Sequence, residues 1–464
     1  MSHSKNNLSS HVDRCPGDNW KDIIASDTRT PPAALTEDKY QYLGSESIAA
    51  SRYTSADFFA DEVEKMWPNV WQFAARDEEL PNPGDYIVYE NAGRSFLLVR
   101  QEDGSVKALH NVCLHRGRKL ATGSGRATRF VCAFHGFAWN NDGSLNDIPC
   151  RWDFKHLSDE KMQLPEAEVG HWGGYIFVRD NPGGPTLEEY LAPLPEHFKD
   201  WNHEECVTAA WVGKVVHANW KITMEAFMES YHAYVTHPQL MPFTGDANSA
   251  YNVLSDHVNA NLTPFGTPSP HIKPEGEQWI IEQFLQYNGR SADNYDPEKD
   301  NFNVTVADDQ TARQALAESL RTSSERAFGR DYSNTSDAEL LDALVYNVFP
   351  NFSPWGGFMP NIVYRWRPWP DQDHCLMEVR VLTRVKPGEP KPQSVPMHML
   401  GEDESWSAAP ELGVLGAVVD QDMSNMSLVH DGLKASKNGL VELGDYQEVR
   451  IRHFHQTLNK YLAK

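Results

Sequence analysis

One pattern constrains this chain more than any other. Within NVCLHRGRKLATGSGRATRFVCAFHGFAWNNDG, Cys113 and His115 form C-x-H, and after sixteen intervening residues Cys132 and His135 form C-x-x-H. Two short loops carrying such ligands can grip one centre from opposite sides, with Gly117 and Gly136 permitting the tight turns. The ligand types suit either a zinc ion or a [2Fe–2S] cluster with thiolates on one iron and imidazoles on the other. C-x-H is shorter than the usual zinc spacing, and the ligands alternate Cys, His, Cys, His. Two neutral imidazoles in place of thiolates raise a cluster's reduction potential, so such a centre readily accepts electrons. None of the remaining cysteines, Cys15, Cys150, Cys206 and Cys375, is followed by a histidine at C-x-H or C-x-x-H spacing. The set argues against a disulfide framework and for metal-binding or structural thiols.

The 464 residues exceed one ordinary core and suit two domains. Residues 1–45 are polar and Pro-containing, an arm on the surface. From 46 to 180, segments such as DYIVYEN, SFLLVRQ, FVCAF and GGYIFVRD alternate with turn residues, the pattern of a small antiparallel β domain. The Pro/Gly cluster in NPGGPTLEEYLAPLPEHF marks the boundary to a second domain, 181–464, of mixed helices and strands. There, Ser336 and Glu339 form a capping box ahead of an amphipathic run, LLDALVYNVF. NIVYRWRPW and CLMEVRVLTRVK read as strands around the turn PDQDH, and a last long helix is expected from about Gly413 to Ser436. The acidic span from about Asn288 to Gln310 is the best candidate for a mobile loop.

The formal charge of −23, from 42 Lys plus Arg against 65 Asp plus Glu, disfavours nucleic acid as a partner. No apolar run approaches the length of a membrane span, and the first twenty residues lack a basic start followed by an apolar stretch. The expected address is therefore the cytoplasm, with no membrane partner. No G-x-G-x-x-G follows a strand, so redox chemistry here would need electrons from elsewhere. Arg116, Arg118 and Lys119 crowd the first ligand loop. They would either dock an acidic electron carrier or neutralise neighbouring carboxylates.

A second constellation lies in HANWKITMEAFMESYHAYVTHPQL. As a helix, Trp220, Met224, Phe227, Met228, Tyr231 and Val235 form a core-facing stripe, with Glu225, Glu229 and His232 on a polar line beside it. Pro238 disfavours helical geometry at His237, which predicts that the helix ends there. That break would let both imidazoles reach one metal. Two histidines and one carboxylate, with positions left open, is the arrangement of non-haem Fe(II) oxygenases. The distant segment LGAVVDQDMSNMSLVHDGLK offers Asp420 and Asp422. Asp422 occupies the missing place in the apolar stripe of Leu415, Val419, Met426, Val429 and Leu433, whereas Asp420 shares a solvated face with Ser424, Ser427 and Asp431. A carboxylate on a core face is costly unless paired or metal-bound, which selects Asp422. Taken singly, each of the three also fits a satisfied core histidine, a helix-end histidine or a buried ion pair.

In CxHRG and CxxHG, in NWK followed by E-x-F-x-E-x-Y-H-x4-H, and in D-Q-D-x-x-N-M, the chain resembles the large (alpha) subunit of Rieske non-haem iron ring-hydroxylating oxygenases over most of residues 50–440. The resemblance implies an α+β fold: an N-terminal antiparallel β Rieske domain, then a helix-grip-like catalytic domain with a curved antiparallel sheet. It implies a [2Fe–2S] cluster on Cys113, His115, Cys132 and His135, and a mononuclear Fe(II) on His232, His237 and Asp422. By position, Glu229 matches the acidic residue linking one subunit's cluster to its neighbour's iron, where many members have Asp. A homotrimer is implied, with or without a beta subunit, fed by a ferredoxin and/or reductase that draws on NAD(P)H. The expected activity is oxygenation, by one or both atoms of O2, of an aromatic or other hydrophobic ring compound. Rival readings are an N- or O-demethylase or quaternary-amine monooxygenase on the same scaffold, a Rieske electron-transfer protein, and a zinc-stabilised binding module.

Overall fold

A computed structural model describes residues 13–288, 304–358 and 361–463. Most of the acidic span proposed as a mobile loop lies outside these residues. The β-rich region forms a seven-stranded antiparallel sheet in the order Gln72–Arg76, Tyr175–Arg179, Glu166–Trp172, Val106–His110, Arg94–Arg100, Asp85–Asn91, Ser124–Arg126. A small three-stranded sheet, Arg129–Val131, Ala138–Asn140 and Leu145–Asp147, carries the second ligand loop. The loops pack on a cluster of Leu97, Leu109, Phe130, Phe137 and Trp139 that also contains Cys113 and Cys132.

The second half is built on an eight-stranded curved sheet. Seven strands are antiparallel neighbours, in the order Ala250–Val253, Val258–Thr263, Ala343–Val348, Phe352–Pro354, Asn361–Pro368, Cys375–Arg384, Cys206–Val216. The strand His398–Met399 is added in parallel at the edge. Helices Trp220–Glu225, Val414–Ala435 and Val449–Leu462 cover it. The fold class is α+β, as the sequence implied. The segment before the first sheet belongs with this half: Ile48–Ala49 pairs with Leu440–Val441, and Glu62 reaches Lys221.

Three local expectations are corrected. The capping box of Ser336 and Glu339 is present, but its helix stops at Leu341 and Ala343–Val348 is a strand. All six of its residues are buried, because both faces of the sheet are covered, so the alternation that marks a strand is erased. The segment around His232 is not one helix: Trp220–Glu225 gives way to a turn, and a short helix resumes at Ala233–Thr236. Tyr231 and Val235 are consequently exposed rather than in the core, and Glu225 points away from His232 to Tyr53 and His455.

Candidate functional site: two metal-ligand clusters

The two ligand loops of the first half are built alike. In one, Cys113 N–H donates to Arg118 O and Gly117 N–H to Cys113 O; in the other, Cys132 N–H donates to Phe137 O and Gly136 N–H to Cys132 O. Both turns require a left-handed residue, which Gly117 (φ 77°) and Gly136 (φ 81°) supply. Backbone N–H groups of His115 and Arg116 point at the Cys113 thiol, and those of Phe134 and His135 at the Cys132 thiol. Both thiols are buried, and the His115 and His135 rings lie 4.6 Å apart at 72°. His115 is held flat against Phe137 at 4.6 Å, and its buried Nδ1 has no hydrogen-bond partner among the described residues. Two thiols ringed by N–H donors, facing two imidazoles of which one has an orphaned nitrogen, fit a [2Fe–2S] cluster held by Cys2His2.

Of the basic residues on this loop, Lys119 pairs with Glu90. Arg116 lies over Phe134 at 5.0 Å, and Arg118 donates to Lys119 O. Both arginines are exposed and have no carboxylate partner among the described residues.

The second cluster assembles at the break in the predicted helix. His237 has φ −124° and ψ 54°, outside helical geometry, so its ring swings toward His232. The His232 and His237 Nε2 atoms are 3.2 Å apart, and Asp422 Oδ1 stands 2.8 Å from His237 Nε2 and 3.3 Å from His232 Nε2. One ligand atom from each of the three residues lies within 4.8 Å of the others. Asp422 is buried on the inner face of its helix. Asp420 turns outward, accepting from Trp406 N–H at 2.6 Å and Ser407 N–H at 3.0 Å. The turn bearing Glu229 is pinned by Arg450 Nη1 donating to Met228 O at 3.1 Å and by Ser230 N–H donating to the Tyr251 hydroxyl at 3.2 Å.

The outer nitrogens of both rings are occupied. Glu229 Oε1 lies 2.6 Å from His232 Nδ1, and its Oε2 accepts the His232 backbone N–H at 2.9 Å. His237 Nδ1 lies 2.9 Å from Gln421 Oε1, which also accepts from Gln239 Nε2 at 2.6 Å. Such partners fix the ring orientation and leave Nε2 as the ligand atom. The sequence reading assigned no role to Gln421, although it stands between the two candidate aspartates of D-Q-D. Burial would lower the His232 pKa, but the Glu229 and Asp422 carboxylates prevail and push it up to about 10. Burial would raise Asp422, yet hydrogen bonds from His232 and His237 hold it below the ordinary carboxylate range. A buried pocket whose carboxylates draw protons onto its imidazoles is one that a divalent cation fits.

Aromatic faces stand close by: Phe227, two residues before Glu229, packs 4.7 Å from Tyr364 and 5.4 Å from Trp366.

Comparison with known proteins bears on both halves of the chain. Residues 70–158 match the model of the Rieske [2Fe–2S] domain, and residues 196–464 match that of the ring hydroxylating alpha subunit (catalytic domain). The chain is 28% identical to the glycine betaine monooxygenase oxygenase subunit of Chromohalobacter salexigens, over 48% of this chain and 52% of that protein. It is 30% identical to the carnitine monooxygenase oxygenase subunit of Escherichia coli K12, over 41% and 52% respectively. The matched region thus spans about half the length of these curated relatives. Among solved structures, a quaternary ammonium Rieske monooxygenase aligns with TM-score 0.61 at 16% identity, covering 97% of this chain and 100% of that one. A naphthalene 1,2-dioxygenase aligns with TM-score 0.63 at 19% identity, covering 91% and 94%. The catalytic-domain match extends over more than half of the chain, and the protein therefore belongs to the ring-hydroxylating oxygenase alpha-subunit family.

Proposed function

We propose that the protein is the terminal oxygenase of a multicomponent Rieske system, using O2 and externally supplied electrons to oxygenate a hydrophobic ring compound. The observation that carries this reading is the buried His232–His237–Asp422 triad, in one chain with a Cys2His2 cluster site. An electron carrier has no use for that triad. When bound, the Fe(II) would activate O2 and the [2Fe–2S] cluster would supply electrons. The chain's own residues do the rest. Glu229 fixes the proton of His232 on Nδ1, so that Nε2 keeps its lone pair. Gln421 does the same for His237, and Asp422 supplies the negative charge. We assign Phe227, Tyr364 and Trp366 as candidates for the apolar lining that a ring substrate would meet.

The assembly we infer is a homotrimer, with or without a beta subunit, in which Glu229 bridges to the cluster of a neighbouring copy. Exposed Tyr231, Tyr234 and Val235 beside His232, and exposed Phe134 and Trp152 near His135, support subunit contacts at both sites. The unpaired Arg116 and Arg118 support docking of an acidic ferredoxin or reductase.

A second reading, a quaternary-amine monooxygenase, is favoured by the same aromatic faces, which also attract a quaternary ammonium. The likeness to betaine and carnitine monooxygenases supports it too. The test begins with iron content and EPR of the dithionite-reduced protein. About three irons per chain and the low-average-g signal of a His-ligated cluster are expected. Iron-replete protein with a surrogate reductase is then given naphthalene, carnitine or glycine betaine. A cis-diol or phenol supports the ring oxygenase, and cleavage of the C–N bond supports the second reading. Zinc without the EPR signal would refute both.

A further inference from the structure

Where the Rieske sheet meets the outer face of the catalytic sheet, buried cations outnumber anions. Arg76, Arg365, Arg367, Arg380 and Arg384 lie there with three carboxylates, Glu78, Glu79 and Glu378. Each carboxylate is already engaged. Glu78 accepts from Arg76 Nε at 2.7 Å, Glu79 from Arg380 Nη1 at 2.8 Å, and Glu378 from Arg365 at 2.6 Å and Arg367 at 2.7 Å. Arg384 has no carboxylate partner among the described residues. Its one hydrogen bond runs from Nη2 to Gly357 O at 3.4 Å, although the residue is only 5% exposed. Among the described residues its Nε and Nη1, and Nη1 of Arg76, are buried without an acceptor.

Both guanidinium groups bear on Cys206. Arg76 Nη2 donates to Cys206 O at 2.9 Å, and Cys206 is the direct cross-strand neighbour of Arg384. Between them stands a neutral imidazole: burial first, then the charges of Arg384 and Arg76, hold His203 well below its ordinary pKa. Its Nδ1 meets the Tyr175 hydroxyl at 2.8 Å, and the ring also bonds the Trp355 backbone.

We propose that Arg76 and Arg384 bind a small inorganic anion of the halide class, buried at the junction of the two domains. A water molecule could satisfy the free N–H groups but would leave the excess positive charge uncompensated in a closed interior, which is the larger cost. Backbone stands close beside both groups. A methyl group on Gly174 would stand 3.1 Å from Arg76 Nη2, and one on Gly357 would stand 2.7 Å from Glu339 O. Arg76 belongs to the Rieske strand Gln72–Arg76 and Arg384 to the catalytic strand Cys375–Arg384, so the anion ties the two domains together.

Crystals of the metal-replete protein grown in sodium bromide test this directly. An anomalous peak at the bromine edge, within hydrogen-bond reach of Arg76 Nη1 and Arg384, is expected. Density there without anomalous signal would identify water and overturn the proposal. In solution, Tm should be higher by roughly 2 °C in sodium bromide than in sodium gluconate at equal ionic strength, and Arg384→Met should abolish the difference. An equal halide response in Arg384→Met, or none in the unaltered protein, would refute the site. Should Arg384→Met fail to fold, the bromide map of the unaltered protein decides.

Discussion

Lys221→Met turns Glu62 into a solitary carboxylate in the core. Both side chains are fully buried, with Nζ 2.5 Å from Oε1, and Trp220 Nε1 donates to the other carboxylate oxygen at 3.2 Å. Burial acts against both charges, lowering the pKa of Lys221 and raising that of Glu62, and each group's charge offsets part of that effect on the other. The ammonium also lies 5.2 Å from the Trp220 ring and 5.4 Å from Phe58. Methionine keeps the volume of the stem but leaves Glu62 with one indole N–H. Breaking such a pair from one side costs about 3–5 kcal/mol. With its counter-charge gone, Glu62 titrates well above the ordinary carboxylate range in the folded state. The penalty is therefore largest at pH 8 and shrinks as the pH falls and Glu62 takes up a proton. Glu62→Leu with Lys221→Met removes both charges and should return to within about 1 kcal/mol of the parent. Urea unfolding followed by tryptophan fluorescence reads this. Two single variants each losing under about 1 kcal/mol, or a double variant worse than their sum, would refute the reasoning.

Asp422→Ala should lower iron from about three to about two per chain while leaving the cluster EPR signal intact; loss of both would assign Asp422 a folding role. Gln421→Ala frees His237 Nδ1 and should weaken Fe(II) binding by roughly 10–100-fold in a chelator competition, with the fold unchanged by circular dichroism. Glu229→Gln should retain both metal sites yet lose most turnover, and full activity would exclude it as the bridge. His453 accepts from Asn259 Nδ2 at 3.0 Å, and burial pushes its pKa down to about 4. A depressed histidine contributes stability above about pH 6.5 that is lost as the pH falls through about 4, here roughly 3 kcal/mol. His453→Asn should flatten that part of the acid-unfolding profile measured by Tm against pH.

The two loops that carry Cys113, His115, Cys132 and His135 were legible because their glycines and spacing are local facts. Asp422 was legible because a helix buries one face, and a carboxylate on that face stands out against Val419 and Met426. The geometry at His232 was legible only in part. Pro238 announced the end of the helix, but nothing nearby announced the turn after Glu225. That turn depends on Arg450, Tyr251 and Thr263, partners brought in by the sheet and by the helix Val449–Leu462. Helical counting across it misplaced Glu225, Tyr231 and Val235. The strand Ala343–Val348 failed for the opposite reason, since a segment buried on both faces carries no period to read.

The tether from Arg450 to Met228 joins residues 222 positions apart. Chains emerge from the ribosome at about 5–20 residues per second and domains fold as they appear. The loops of Cys113 and Cys132 can therefore close while His232 and His237 still lack the helix that shapes their turn, an interval of roughly 10–45 s at that pace. Biogenesis thus has an order written into the fold: the iron–sulfur cluster can be installed on a nascent chain, whereas the mononuclear iron has a finished socket only once synthesis has passed Arg450.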